Sequence, residues 1–391
     1  MMQIAPWPQL EDDEIDAVVQ VLKSGKTNYW TGTEVKQFEQ EFARYCDSDY
    51  GVAVANGSLG LDLALRAVDI GPGDEVIVSP RSFFASAGAI ALLGATPVFA
   101  DVDRESQNIT ADSIKHVLSP RTKAVICVHL SGWPCDMEAI LRVVADRDIA
   151  IIEDCAQAHG ARINDRPVGS WGAIGVFSFC QDKIMSTGGE GGMVVTSDEA
   201  LWKRMWSFKD HGKGYDVVHA DNHPDGFRWL HESFGSNYRL TEMQAAIGRR
   251  QLTKLDDWVA RRRQNAAILD TALSIFKCIR ITAPPANVFH SYYKHYVFVE
   301  PENLRSDWDR DRVLQAISAH GIPGLSGSCP EIYLERAFSG PDLPPEQRLP
   351  VARELGETSI QFLVHPTLKA ADMRAMADAI ANVLGEAQDV Q

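Results

Sequence analysis

Residues 151–160 read Ile151-Ile152-Glu153-Asp154-Cys155-Ala156-Gln157-Ala158-His159-Gly160. An apolar run that ends in two carboxylates predicts a buried strand whose last side chains stand at the carboxyl edge of a sheet. Working outward, short β-branched runs alternate with helical stretches from residue 51 onward. Strands are expected at Gly51–Val54, Glu75–Ser79, Pro97–Asp101, Ala124–Val128 and Ile149–Glu153, with two more at Gly175–Phe179 and Met193–Thr196. Helices are expected between them, at Leu59–Ala67, Ala85–Leu93, Ala111–Leu118 and Met137–Arg147. Apolar strands alternating with helices imply βαβ units and a mostly parallel sheet buried on both faces, an α/β fold.

Before this region, Pro6-Trp7-Pro8 precedes a helix with acids at its start (Glu11 to Glu14), and Glu34 to Tyr45 forms a second helix. Beyond it, Asp210 to Asn237 has no clear period, and a loop of that length is usually functional or mobile. Its histidines, His211, His219, His223 and His231, lack the close pairing of zinc ligands, so no metal is expected. A long helix then runs from Thr241 to Leu273. A strand at Tyr292–Val299, a helix at Asp309–His320 and a last helix at Ala370–Leu384 follow. The expected division is a large domain over residues 1–250 and a smaller α+β domain over 251–391.

The 391 residues predict two or three domains at roughly 100–200 residues each. A net charge of -15 argues against an extended nucleic-acid surface, but a few backbone amides and a lysine can still hold a phosphate. The seven scattered cysteines do not form a disulfide framework. No leader pattern and no apolar run long enough to span a bilayer is seen, so a cytoplasmic location with no membrane partner is expected.

Three features carry chemistry. Asp154 ends its strand where open α/β sheets bind ligands; alone, it could simply cap a turn. Lys183 follows Phe177-Ser178-Phe179-Cys180-Gln181-Asp182 and precedes a run rich in glycine, Ser186 to Gly192. A lysine in a tight pocket can condense with an aldehyde, although most lysines before a hairpin lie on the surface. Asn56-Gly57-Ser58-Leu59 joins a strand to a helix, where free amides can cup a phosphate or merely start the helix. Together they match the needs of pyridoxal phosphate: a lysine for its aldehyde, an anion site for its phosphate, and a carboxylate that keeps the pyridine nitrogen protonated. Ser82-Phe83-Phe84 could supply an aromatic wall.

The order and spacing of these motifs resemble the DegT/DnrJ/EryC1/StrS family of sugar aminotransferases, a branch of the aspartate aminotransferase fold, fold type I. The likeness covers nearly all of residues 5–275. It rests on Gly32 with Phe38-Glu39, Asn56-Gly57-Ser58, Gly71 to Val76, Gly94 to Phe99, Glu153 to Ala158, Phe177 to Lys183, Gly189 to Gly192 and Asn237 to Ala246. The resemblance implies that Lys183 bonds the cofactor and shuttles the proton, and that Asp154 pairs with the ring nitrogen. Gln157 would lie near the phenolic oxygen and Phe83 would stack on the ring. The amides of Gly57, Ser58 and Leu59, with Ser178, would hold the phosphate. Asn237 would reach the phosphate of a neighbouring subunit, making a homodimer with shared sites.

The implied activity moves an amino group from glutamate or glutamine to a nucleotide-linked keto-deoxysugar, for lipopolysaccharide, another surface polysaccharide or a glycosylated metabolite. The rival readings are a sugar dehydratase, whose branch carries His at the lysine position, and a cofactor-binding regulator without turnover. The chain departs from the family pattern at Cys180, three residues before Lys183, and at Ser326-Gly327-Ser328-Cys329-Pro330, where a histidine-bearing stretch is expected near the substrate.

Overall fold

A computed structural model describes residues 4–221, 226–340, 345 and 347–389. The helices are α1 (Asp12–Ser24), α2 (Glu34–Tyr45), α3 (Gly57–Ala67), α4 (Ala85–Leu92), α5 (Ala111–Val117), α6 (Met137–Val144), α7 (Glu199–Lys209), α8 (Tyr215–Val218), α9 (Glu242–Leu273), α10 (Arg310–Ala319), α11 (Pro350–Thr358) and α12 (Ala370–Ala387). The strands are β1 (Tyr50–Val54), β2 (Glu75–Val78), β3 (Thr96–Phe99), β4 (Thr122–Val128), β5 (Ala150–Asp154), β6 (Arg162–Ile163), β7 (Arg166–Pro167), β8 (Ile174–Ser178), β9 (Gly192–Thr196), β10 (Ile279–Ile281), β11 (Val288–Phe289), β12 (His295–Val299) and β13 (Ser359–Phe362).

Seven strands form the central sheet in the order β1-β9-β8-β5-β4-β2-β3. Six run parallel; β9 alone is antiparallel, inserted between β1 and β8. The parallel strands therefore deliver Asn56, Ser79, His129, Asp154 and Ser178 to the same edge. Alternation along each strand feeds two faces. Val52, Val54, Val76, Val78, Ile152 and Val176 pack with Leu61, Leu65 and Ile90 of α3 and α4. On the other face, Ala53, Phe177, Met193 and Val195 meet Phe38 and Phe42 of α2 and Leu255 of α9. Ile77, Val125, Cys127 and Ile151 meet Ile114 and Ile140 of α5 and α6.

The helix starts follow the sequence. Asn56 Oδ1 accepts from Leu59 N at 2.9 Å to cap α3, and Thr241 forms a capping box with Gln244 at α9. Gly32 has a packing reason. Glu242 accepts from the N–H groups of Glu34 and Val35 at the start of α2, and a Cβ on Gly32 would stand 2.1 Å from its Oε2.

The second sheet, β10-β12-β13, packs with α10, α12 and the end of α9. The expected boundary at 250/251 falls inside α9, whose Ala245, Leu255 and Val259 lie in the large-domain core and whose Ala266, Leu269 and Leu273 lie in the small-domain core. Parts of the later chain return to the large domain, with Ile332, Tyr333 and Phe338 in one core cluster and Ala352 and Leu355 in another. The strand expected from Tyr292 begins at His295, because Tyr292 has φ 48° and the N–H groups of Ser291 and Tyr293 donate to the 131–132 turn. Helices α7 and α11 and strands β10 and β13 were not expected. Among the described residues, no helix is long and apolar enough to cross a membrane.

Candidate active site

A cavity of about 800 Å³ opens at the carboxyl edge of the central sheet. Gly57, Ser58, Leu59, Phe83, Asp154, Gln157, Ser178 and Lys183 all line it, so eight of the nine expected site residues converge there. Asn237, the ninth, is exposed elsewhere; its Oδ1 accepts from Arg239 N at 3.3 Å, and its backbone bridges Asp210.

Asp154 is buried at the end of β5. Its Oδ2 accepts from Ser86 Oγ at 2.8 Å and its Oδ1 from Ala156 N at 3.1 Å. Burial pushes this carboxyl above the ordinary range, while those hydrogen bonds and the charge of Lys183 pull it down. A carboxylate so placed favours a cationic partner in the cavity. Gln157 Oε1 accepts from Ser131 N at 2.8 Å, which turns its amide nitrogen away from that contact.

Lys183 sits in the turn after β8. Trp7 Nε1 donates to its carbonyl at 2.8 Å, pinning the backbone. Its Nζ lies 3.9 Å from Asp182 Oδ1 and 5.0 Å from the centre of the Tyr293 ring. Burial alone would raise the Asp182 carboxyl. The Lys183 charge and the hydrogen bond from the Tyr293 hydroxyl more than offset this and hold it below the usual range.

At the expected phosphate cup, one of the three amides is already engaged. The Leu59 N–H is already given to Asn56, so the free donors at the start of α3 are the N–H groups of Gly57 and Ser58. Ser178 lies directly across, and a Cβ on Gly57 would stand 2.7 Å from its Cβ. Two free amides, two hydroxyls, a buried carboxylate, a lysine and Phe83 (67% exposed on the rim) form a donor set that fits pyridoxal phosphate.

Sequence reasoning missed Ser86, Tyr293, Lys294 and Gln361 in the cavity wall, and gave Ser82 only as part of an aromatic stretch. Ser82 and Ser86 stand at the ends of Ser82-Phe83-Phe84-Ala85-Ser86, one helical turn apart, which was a usable signal. Tyr293 and Lys294 come from the small domain and carried none. Both departures from the family pattern reach this wall: Cys180, and Gly327, Ser328 and Cys329 from the stretch 326–330. Of the loop histidines, His219 packs on Tyr215 and Trp206, and His223 lies outside the described residues. His129, Glu153 and Cys155 cluster closely behind the site. Glu153 accepts from the N–H groups of Gly169, Trp171 and Gly172, and His129 Nδ1 from Cys135 N, so their lone pairs are committed to the fold.

Fold and site together define a fold-type I pyridoxal-phosphate enzyme. The sequence model of the DegT/DnrJ/EryC1/StrS aminotransferase family matches residues 8–381, and the chain belongs to that family. It is 35% identical over 380 residues to the dTDP-3-amino-3,4,6-trideoxy-alpha-D-glucose transaminase of Streptomyces venezuelae, covering 96% of this chain and 93% of the relative. It is 34% identical over 365 residues to the GDP-perosamine synthase of Escherichia coli O157:H7, covering 91% and 90%. The solved aminotransferase of Psychrobacter cryohalolentis superposes with a TM-score of 0.96 at 51% identity, covering 98% of this chain and 99% of that one. The protein is a pyridoxal-phosphate-dependent aminotransferase.

Proposed function

We propose that the enzyme moves an amino group from glutamate or glutamine to a nucleotide-linked keto-deoxysugar, in the cytoplasm, for lipopolysaccharide, another surface polysaccharide or a glycosylated metabolite. The observation that carries this reading is Lys183, its ammonium without a hydrogen-bond partner among the described residues and 3.9 Å from Asp182, in one cavity with buried Asp154 and the Gly57–Ser58 amides. Two relatives whose names specify an aminated or nucleotide-linked sugar support the substrate class.

When bound, pyridoxal phosphate supplies an aldehyde that takes the amino group and a ring that accepts electrons as the donor's Cα–H bond breaks. Gly57, Ser58 and Ser178 hold the phosphate. Asp154, fixed by Ser86, holds a proton on the ring nitrogen. Lys183 Nζ takes the proton from Cα of the donor and returns one to the acceptor.

The site is proposed to be completed across a homodimer, with Asn237 of each subunit serving the partner's phosphate. The segment that leads to Asn237 leaves Phe227, Trp229 and Phe234 77%, 86% and 99% exposed, a surface that suits a protein partner better than water.

Adding glutamate or glutamine to the cofactor-loaded enzyme should bleach its visible absorption, and one member of a panel of nucleotide keto sugars should gain an amino group by mass spectrometry. A regulator without turnover would not respond to the donor. A dehydratase would release water from the sugar without aminating it.

A further inference from the structure

Among the described residues lining the cavity, only Lys183 and Lys294 are cationic. Lys183 is committed to the cofactor, which leaves Lys294 without an assigned task. Its backbone is firmly held: Ser131 Oγ donates to its carbonyl at 2.9 Å, and its N–H donates back to Ser131 Oγ at 3.3 Å. Ser131, which has φ 57°, also donates its own N–H to Gln157, so one turn sets both Gln157 and Lys294. The Lys294 ammonium, in contrast, has no hydrogen-bond or ion-pair partner among the described residues. It lies 4.8 Å from the centre of the Tyr293 ring, the ring that also carries the Lys183 nitrogen at 5.0 Å.

A partly buried cation with a fixed backbone and no carboxylate in hydrogen-bond or ion-pair contact among the described residues is an incomplete pair. An amino donor would complete it. Its amino group must come to the aldehyde that Lys183 holds, and its α-carboxylate is attached to the same carbon. That carboxylate enters a cavity whose other charged groups, Asp154, Asp182 and Glu190, would repel it. We propose that Lys294 is the specificity residue that takes the α-carboxylate of the amino donor. This rests on the transaminase reading above.

Protonation agrees with that role. Burial lowers the Lys294 ammonium to about 8, with Arg262 and Lys183 adding repulsion and Asp182 partly opposing them. The charge is therefore present at neutral pH and lost as pH rises through that value, and donor affinity should weaken with it.

The test uses the cofactor-loaded enzyme and two probes, α-methylglutamate and α-methylglutamine. Both lack the Cα hydrogen, so the change in cofactor absorption reads binding without turnover. Lys294→Met should weaken both by about tenfold or more, the scale of one hydrogen bond to a charged group. Lys294→Arg should restore much of the loss. The cofactor's own absorption in each variant verifies an intact site. In a second arm, UDP and dTDP titrate the amine-loaded enzyme, and their binding should not change. Unchanged donor binding in Lys294→Met overturns the proposal. So does loss for α-methylglutamate alone, which would place the side-chain carboxylate on Lys294, or parallel loss for the nucleotides, which would make it a phosphate reader. Failure of the wild type to react with any amino donor would instead sink the transaminase reading itself.

Discussion

Ser86 Oγ donates to Asp154 Oδ2 at 2.8 Å from the first turn of α4, and Ser82 Oγ lies 2.8 Å from Ser86 Oγ in turn. The carboxylate is thus aimed by a two-hydroxyl relay from the loop after β2. Replacing Asp154 by Asn should leave the cofactor bound and cut the rate at least about a hundredfold, the low end for removing a positioned electrostatic partner. Ser86→Ala should cost less, about tenfold, because the charge stays and only its orientation is lost. Steady-state rates of the two variants give the order; a Ser86 variant as damaged as the Asp154 variant would contradict it.

Lys183→Ala should abolish turnover and the visible absorption of the bound cofactor while the fold persists. The side chain makes no hydrogen bond that the fold needs, since Trp7 holds the main-chain carbonyl. Circular dichroism and absorption spectra check both halves. Turnover near the normal rate would remove Lys183 from its role.

Subunit mixing tests the shared site. Lys183→Ala spoils the site of its own subunit, and an Asn237 replacement by a bulky acid should spoil the partner's. In a heterodimer of the two, both defects fall on one site and the other is intact. Refolded mixtures should recover activity that neither variant has alone. Mixtures that exchange subunits yet stay inactive would mean that Asn237 serves only its own chain, in the bridge to Asp210.

Acid should destabilise the protein through its buried histidines. Burial, then the Lys183 charge, lowers His159 to about 3; burial, then Arg262 and Lys294, does the same to His365. Unfolded histidine titrates near about 6.5. Because the folded values lie below the unfolded one, this stability is fully present above about pH 6.5 and is lost as pH falls toward about 3. The slope approaches about 1.4 kcal/mol per pH unit for each group. Melting temperatures should drop steadily between pH 7 and pH 4, and His159→Gln should flatten the fall. A melting temperature that is constant over that range would refute the account.

The cofactor side of the cavity was legible because its residues sit at strand ends with local signatures. Asp154 closes an apolar run, Gly57 opens a helix, and Lys183 precedes a glycine-rich turn. The small-domain side was not. Lys294 and Tyr293 adjoin an ordinary apolar strand, and only the fold of the 131–132 turn brings them to Lys183. The engagement of the Leu59 amide was not legible for a similar reason. The sequence marks a helix start there but does not say that Asn56 takes the third amide for itself. Strand β9 was recognised, but its reversed direction was not, because a hydrophobic pattern does not encode which way a strand runs.

The cavity wall is built from two kinds of backbone. Asn56, Asp154, Ser178 and their neighbours hang from a rigid sheet, whereas Leu325, Gly327, Ser328 and Cys329 belong to a loop that touches the large domain through the Ser82–Cys329 bridge. Loops accept replacement far more readily than strand ends do. The enzyme is therefore modular in an engineering sense. Exchanging the 325–329 loop for that of a relative should change the cavity wall on that side while leaving the strand-end residues in place.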